Sequence, residues 1–107
     1  MKLIVAIVNY DDANAVTQAL SKNGFSSTRL STTGGFLLAG NVTLLIGVED
    51  GQVQAAIDLI RARSHSRRQM VPALTEMSYG FMPVMPVEVT VGGATVFVLD
   101  VERFERL

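Results

Sequence analysis

The sequence of 107 residues contains no cysteine and a single histidine, and these shortages exclude several kinds of site. Without cysteine there can be no disulfide bond, no thiol nucleophile and no thiolate-bound metal. His65 lies in a stretch rich in serine and arginine, and no other nitrogen or sulfur ligands accompany it. We therefore predict no metal site, and we interpret His65 as a solvated loop residue.

The chain also lacks an excess of positive or negative charge. Nine basic and ten acidic residues give a formal net charge of −1, whereas proteins that wrap long nucleic acids usually carry a basic field. The apolar start, residues 1–9, stops too early for a signal peptide or a membrane span. We expect a cytoplasmic protein with no polymeric nucleic acid partner and no membrane insertion.

The chain length predicts one domain that spans residues 1–107. Hydrophobic residues make up 49% of the chain, which indicates a globular protein rather than a disordered one. In so small a domain, this apolar excess suggests that copies of the chain cover part of one another's surface.

Hydrophobic patterning predicts alternating strands and helices in the first part of the chain. Strands are predicted over residues 3–8, 25–31 and 42–48, and apolar helical stripes over residues 13–20 and 53–60. The strand at 3–8 is apolar at every position, which is typical of a strand covered on both faces. We expect Asp11 or Asp12 to cap the first helix, a better interpretation than a Mg²⁺ site, and Asn23-Gly24 to end it.

Residues 61–86 have no usable period and contain all three prolines and four of the five methionines. We predict a long loop at about residues 64–86, and loops of that length in compact domains are usually functional or disordered. The basic run at 61–68 is either a solvated face or a loop that steers anions, and the solvated face is favoured.

The end of the chain is predicted to form two strands and a helical turn. Residues 87–91 and 94–99 flank Gly92-Gly93, which is typical of a two-residue hairpin turn. Asp100 is expected to cap a last helical turn that carries Phe104.

Taken in order, these elements predict an α+β fold. The order is β-α-β-β-α-β with an extra C-terminal strand, which is the ferredoxin-like arrangement of an antiparallel sheet with two helices on one face. The other face of such a sheet needs a cover, and self-association into a dimer or trimer supplies one.

The segment from Thr28 to Asn41 concentrates groups that can hold a small anionic ligand. Gly34-Gly35 can leave backbone N–H groups accessible, and the Thr28 hydroxyl is a nearby donor. The Phe36 ring and the Asn41 amide suit a base, because an amide can donate to and accept from an adenine edge. Composition alone favours a plain turn at Gly34-Gly35, with a nucleotide site as the functional alternative.

Two segments resemble the signatures of the PII-like cyclic di-AMP receptor family. They are residues 32–41, TTGGFLLAGN, and residues 87–99, VEVTVGGATVFVL, and the opening residues 1–8 match as well. The resemblance covers nearly the whole chain and is weakest at about 64–85. It implies a homotrimer of ferredoxin-like subunits, similar to nitrogen regulatory PII proteins, with one cyclic di-AMP in each cleft between adjacent subunits.

The same resemblance implies what the protein does. Members of this family are signal receptors without known catalytic activity, so we expect no enzyme, no catalytic residue and no cofactor besides the cyclic di-AMP ligand. Binding orders or moves loops, and we expect a downstream protein partner to detect that change.

The implied ligand site includes Thr28, Gly35, Phe36, Leu37, Asn41, Gly47, Phe97 and Arg106. Thr28 and the backbone of Phe36 and Leu37 correspond to contacts with phosphate and ribose. Asn41 and the backbone of Gly47 correspond to contacts with the deeply placed adenine. N–H groups beside a glycine can hold a diester anion, which fits the composition of this segment.

Phe97 corresponds to an aromatic residue near the second base, where stacking contributes roughly 1–3 kcal/mol. Family members often carry Asn at the position of Gly24, Arg at that of Ser26 and Gln at that of Arg106. The missing arginine removes a charge-assisted hydrogen bond worth roughly 1.5–3 kcal/mol. Arg106, or an arginine of residues 61–68, can compensate for it.

Two alternatives belong to other classes of protein. One is a PII-like adaptor that binds another adenine nucleotide or none, and acts through loop-mediated protein contacts. The other is a small enzyme that uses Asp11, Asp12 or His65. The enzyme is disfavoured because no nucleophile, base and orienting group come together in the sequence.

Overall fold

Alternating burial along the first strand shows how the sheet is covered. In the computed structural model, which describes residues 1–30, 40–72 and 86–107, Ile4, Ala6 and Val8 are fully buried, whereas the residues between them are half-buried. Among the described elements, the helices pack on one face of this strand, so cover on its other face stays a prediction.

The described residues form six strands and two helices. They are β1 (Lys2–Asn9), α1 (Tyr10–Lys22), β2 (Ser27–Leu30), β3 (Asn41–Val48), α2 (Val53–Ser64), β4 (Arg67–Pro72), β5 (Pro86–Val91) and β6 (Ala94–Asp100). A short 3₁₀ turn, Asp50–Gln52, precedes α2. Four strands form an antiparallel sheet in the order β2-β3-β1-β6, and the other two pair separately. This confirms the ferredoxin-like α+β fold class.

The core lies between this sheet and the two helices. Both predicted apolar stripes are confirmed, because Val16 and Leu20 of α1 and Ala56 and Ile60 of α2 are buried against it. On the sheet side, every second residue of β3 from Val42 onward is buried in the same core. Neither helix in the described ranges has the length and hydrophobicity of a membrane span.

The start of α1 uses a different cap from the one predicted. The side-chain oxygen of Asn9 accepts a hydrogen bond from the Asp11 backbone N–H at 2.8 Å, so Asn9 is the N-cap. Asp12 instead forms an ion pair with Arg67. The predicted end of the helix is confirmed, since α1 stops at Lys22 and Asn23 caps it.

Residues 67–72, which were expected to belong to a long loop, form β4. This strand pairs with β5 to make a two-stranded antiparallel sheet, which we call the ribbon. Residues 73–85, between the two ribbon strands, lie outside the described residues.

The predicted hairpin between residues 87–91 and 94–99 is wrong. β5 pairs with β4, whereas β6 pairs with β1 along its length. Gly92 and Gly93 have φ values of 83° and 78°, as a tight turn requires, but they direct the chain from the ribbon into the main sheet. Pairing with β1 also lets Val96 pack against the core. The additional strands are therefore inserted before the fourth ferredoxin strand.

The final helical turn predicted after Asp100 is also wrong. Residues 101–107 contain no helix. The Val101 N–H donates to the Met1 carbonyl at 3.3 Å, which continues the edge-to-edge pairing of β6 with the start of the chain. The tail is therefore held beside β1, where it can contribute to a site.

Candidate functional site

The face of the main sheet turned away from the helices, which we call the open face, is largely apolar, and neither of the described helices packs on it. Leu3 and Val5 of β1 lie on it, and Phe97 and Leu99 of β6 stand opposite Val5 and Leu3. Phe97 and Leu99 are 53% and 47% exposed. A face of this kind, on a chain of this size, is a candidate for contact with a ligand or another protein.

A cavity of about 510 Å³ lies at one end of the open face. Its lining includes Leu3, Ser26, Thr28, Gly47, Phe104 and Arg106, and we call it the Thr28 cavity. Small-molecule sites typically occupy about 300–1,000 Å³, so this volume is in range. The cavity brings together three of the predicted ligand residues: Thr28, Gly47 and Arg106.

Strand register explains why Thr28 and Gly47 meet. Thr28 of β2 is opposite Leu45 of β3, and Gly47 follows two residues later on the same face. A Cβ atom built on Gly47 would meet nothing within 4 Å. The backbone of β3 is therefore bare at this point, and the Thr28 hydroxyl stands on the adjacent strand as a possible donor.

The C-terminal tail supplies the Thr28 cavity with a positive charge, that of Arg106. Arg103 pairs with Glu105 at 2.6 Å, whereas Arg106 has no hydrogen-bond or ion-pair partner among the described residues. Arg106 lines the Thr28 cavity beside Phe104, whose ring is 59% exposed. Sequence reasoning missed Phe104 as a lining residue because it placed this side chain on a helical turn.

Other charges near the cavity neutralise each other. The Met1 ammonium group lies 2.9 Å from the Asp50 carboxylate, and this hydrogen bond and the positive charge lower the pKa of Asp50. Lys2 pairs with Asp100, and the hydrogen bond and negative charge of Asp100 raise the pKa of Lys2. Among the described residues that line the cavity, Arg106 is the cation available to an anionic ligand.

Asn41 lies at the other end of β3. It lines a second cavity of about 310 Å³ with Ile7, Ala94 and Thr95, which we call the Asn41 cavity. Since Asn41 and Gly47 are six residues apart on one strand, about 20 Å separates them at roughly 3.3 Å per residue. The structure does not bring these two predicted adenine contacts together within one chain.

The remaining predicted residues fall in two places. Phe97 stands in the middle of the open face and lines neither the Thr28 cavity nor the Asn41 cavity. Gly35, Phe36 and Leu37 lie outside the described residues. The binding roles given to all eight residues stay predictions.

Asp12 and His65, which were considered for an enzyme or a metal site, both lie beside Arg67. Asp12 is engaged by Arg67, and Arg67 also approaches the carbonyl of His65. In the described ranges, no three His, Asp or Glu side chains are grouped so that they could hold a metal ion.

Comparisons with known proteins agree with this architecture. A family model described as "Cyclic-di-AMP receptor" matches residues 1–107. The chain is also similar to a solved structure, the crystal structure of a functionally unknown protein from Pediococcus pentosaceus ATCC 25745. The two share 40% sequence identity with a TM-score of 0.73, over 99% of this chain and 96% of that chain.

Proposed function

The chain belongs to the cyclic-di-AMP receptor family, and on that premise we propose that it is a cytoplasmic signal receptor that binds cyclic di-AMP between the subunits of a homotrimer. The observation that supports this most directly is the Thr28 cavity, which gathers Thr28, Gly47 and Arg106 from three separate parts of the chain. The function is recognition, with no bond made or broken.

The chemistry of the Thr28 cavity suits this ligand. Cyclic di-AMP carries two phosphodiester groups with one negative charge each, and a guanidinium can bind phosphate oxygens through two parallel hydrogen bonds. Arg106 would supply that group, and the Thr28 hydroxyl would donate a further hydrogen bond. The bare backbone at Gly47 would let an adenine edge approach N–H and C=O groups closely.

The separation of Asn41 and Gly47 supports a site shared between subunits. A single base cannot contact two positions about 20 Å apart on one strand. If both residues contact the same adenine, that base lies between copies of the chain, with the Thr28 cavity of one and the Asn41 cavity of the next facing each other. The apolar open face, with Phe97 and Leu99 about half exposed, supports such an association.

The output would be a change in loop conformation that a protein partner detects. Asn41 follows directly on the segment that carries Gly35, Phe36 and Leu37 in the sequence. A ligand that contacts Asn41 can therefore bias the conformation of that segment through its differential affinity for two states.

The first experiment is a calorimetric titration with cyclic di-AMP, cyclic di-GMP and ATP side by side. We expect saturable heat with cyclic di-AMP and at least about tenfold weaker binding of the other two, a difference of about 1.4 kcal/mol. Preference for ATP would refute the assignment of the ligand. Binding of none of them would favour an adaptor that acts through protein contacts alone.

The second experiment tests the shared site with mixed oligomers. Asn41→Ala and Arg106→Gln chains, carrying different affinity tags, are expressed together and the mixed trimers are isolated. Each variant alone is expected to bind weakly. Every mixed trimer contains one cleft in which both contributed residues are wild type, so strong binding should return at one site per trimer. Failure to recover binding would refute a site shared between subunits.

A further inference from the structure

The Asp12 and Arg67 side chains form a two-point ion pair. Asp12 Oδ1 is 3.2 Å from Nη2 of Arg67, and Asp12 Oδ2 accepts from Nη1 at 3.2 Å. The Asp12 side chain is only 11% exposed, and that of Arg67 is 37% exposed. Because it is shielded from water and bidentate, this pair is better placed to hold a geometry than an exposed surface pair.

Gly92 packs closely against this ion pair. A Cβ atom at Gly92 would stand 2.7 Å from Arg67 Nη1 and 2.7 Å from the His65 carbonyl, and 3.4 Å from Asp12 Oδ2. The backbone there also has a φ of 83°. Glycine is therefore needed for the start of α1, the end of α2 and the base of the ribbon to meet.

The ion pair lies at the base of the ribbon. Arg67 begins β4 and is paired with Val91, the last residue of β5, so a restraint on Arg67 acts on both ribbon strands. Beyond this base, β4 and β5 pair with each other along their whole length. The base of the ribbon is thus held by a side-chain contact with α1 as well as by its short connections to α2 and β6.

The same helical turn contacts the start of β3. The Tyr10 N–H donates to the Gly40 carbonyl at 2.6 Å, and Gly40 directly precedes Asn41. Tyr10 and Asp12 are two residues apart in the first turn of α1, where the Asn9 cap fixes the backbone. Gly40 and Asp12 are therefore joined by one short, hydrogen-bonded element.

We propose that the first turn of α1 couples the Asn41 end of β3 to the ribbon through the Asp12–Arg67 ion pair. This inference rests on the proposed function, because it assigns the ribbon as the part of the receptor that responds to cyclic di-AMP. Coupling of this kind requires an element whose position both sites bias, and the turn that carries Tyr10 and Asp12 is the element that contacts both.

The experiment is amide hydrogen exchange with and without cyclic di-AMP, after calorimetry on the same samples. In the wild type we expect the ligand to change exchange in residues 67–72 and 86–91. Asp12→Asn should still bind the ligand, but exchange in the ribbon should be faster without ligand, by about tenfold to a hundredfold, and should no longer respond to it.

Two further variants make the result specific. Asp11→Asn removes the same charge from the same turn, but the Asp11 side chain is exposed and makes no contact with Arg67, so it should behave as the wild type. Arg67→Gln should reproduce Asp12→Asn, and the double variant should be no worse than either single one.

The outcomes separate the two claims. Absence of cyclic di-AMP binding to the wild type would overturn the proposed function and the coupling with it. Binding without any change in ribbon exchange would overturn the coupling alone. A ribbon that responds equally in the wild type and in Asp12→Asn would also overturn it, since the ligand would then act on the ribbon by another route.

Discussion

Leu3 of β1 lies directly opposite Gly47 of β3, on the open face of the sheet. Most residue pairs on this face place two side chains against each other, but here one partner has none. The space left beside Leu3 forms part of the Thr28 cavity. The cavity therefore exists because of a glycine at a strand position where a β-branched residue would normally be favoured.

Replacing Gly47 with valine should separate folding from ligand binding. We expect Gly47→Val to keep or raise the stability of the chain, by up to about 1 kcal/mol, since valine favours strands and restricts the unfolded chain. Binding of cyclic di-AMP should be lost, because the side chain would fill the cavity. Chemical denaturation and calorimetry measure the two effects. Gly51→Ala, a change at an exposed glycine outside the cavity, is the control.

Removing the cation of the cavity should weaken binding without changing the fold. Arg106→Gln is expected to lower the affinity for cyclic di-AMP by about tenfold to a hundredfold, as expected for losing a charge-assisted hydrogen bond of roughly 1.5–3 kcal/mol. The measurement is calorimetry at low and high salt, where added salt should reduce the difference from the wild type.

Two variants test whether this effect belongs to the cavity. Arg103→Gln removes the same charge from the same tail, but Arg103 pairs with Glu105, and binding should be unchanged. Ser26→Arg, added to Arg106→Gln, returns a guanidinium from another wall of the same cavity and should recover much of the lost affinity. If Arg103→Gln and Arg106→Gln lowered the affinity equally, the effect would come from net charge and not from the cavity.

Local patterns in the sequence predicted the elements whose stability depends on burial. The stripes of α1 and α2 and the apolar runs of β1 and β3 were found because each buries a regular set of side chains. β4 was missed because Arg67, Arg68 and Pro72 give it a polar, proline-containing sequence. Its strand conformation depends on pairing with β5, which a local pattern does not encode.

The cap of α1 and the position of Arg106 depend on contacts between residues that are far apart in the sequence, which local patterns do not show. Asn9, Asp11 and Asp12 are all good cap residues, and the contact that engages Asp12 comes from Arg67, 55 residues away. At the site, residue alternation can place Thr28 and Gly47 on one face once the register is known. The approach of Arg106 depends on the path of an irregular tail, which periodicity does not predict.

The ion pair of the N-terminus with Asp50 predicts a pH dependence of stability. Since the Met1 ammonium lowers the pKa of Asp50, the pair stabilises the folded chain above the unfolded pKa of the carboxyl group. That contribution is lost as the pH falls through the folded pKa. Wild type should therefore be slightly more stable than Asp50→Asn near neutral pH, and the difference should vanish once the pH is below the lowered pKa of Asp50. Denaturation midpoints measured from neutral to acidic pH give this difference in stability. Glu49→Gln removes the neighbouring carboxylate and should not lower the stability in the same way.

Two neighbouring residues of β6 test whether the open face is where the copies meet. Leu99 stands opposite Leu3 on the open face and Val98 opposite Ile4 on the helix side, with exposures of 47% and 43%. Leu99→Asp should leave a folded monomer, because a carboxylate buried between subunits costs several kcal/mol per ion. Val98→Asp should still assemble. Light scattering measures the mass of the assembly, and circular dichroism shows whether the chain is folded. If a folded Leu99→Asp chain assembles as the wild type does, the open face is not the interface.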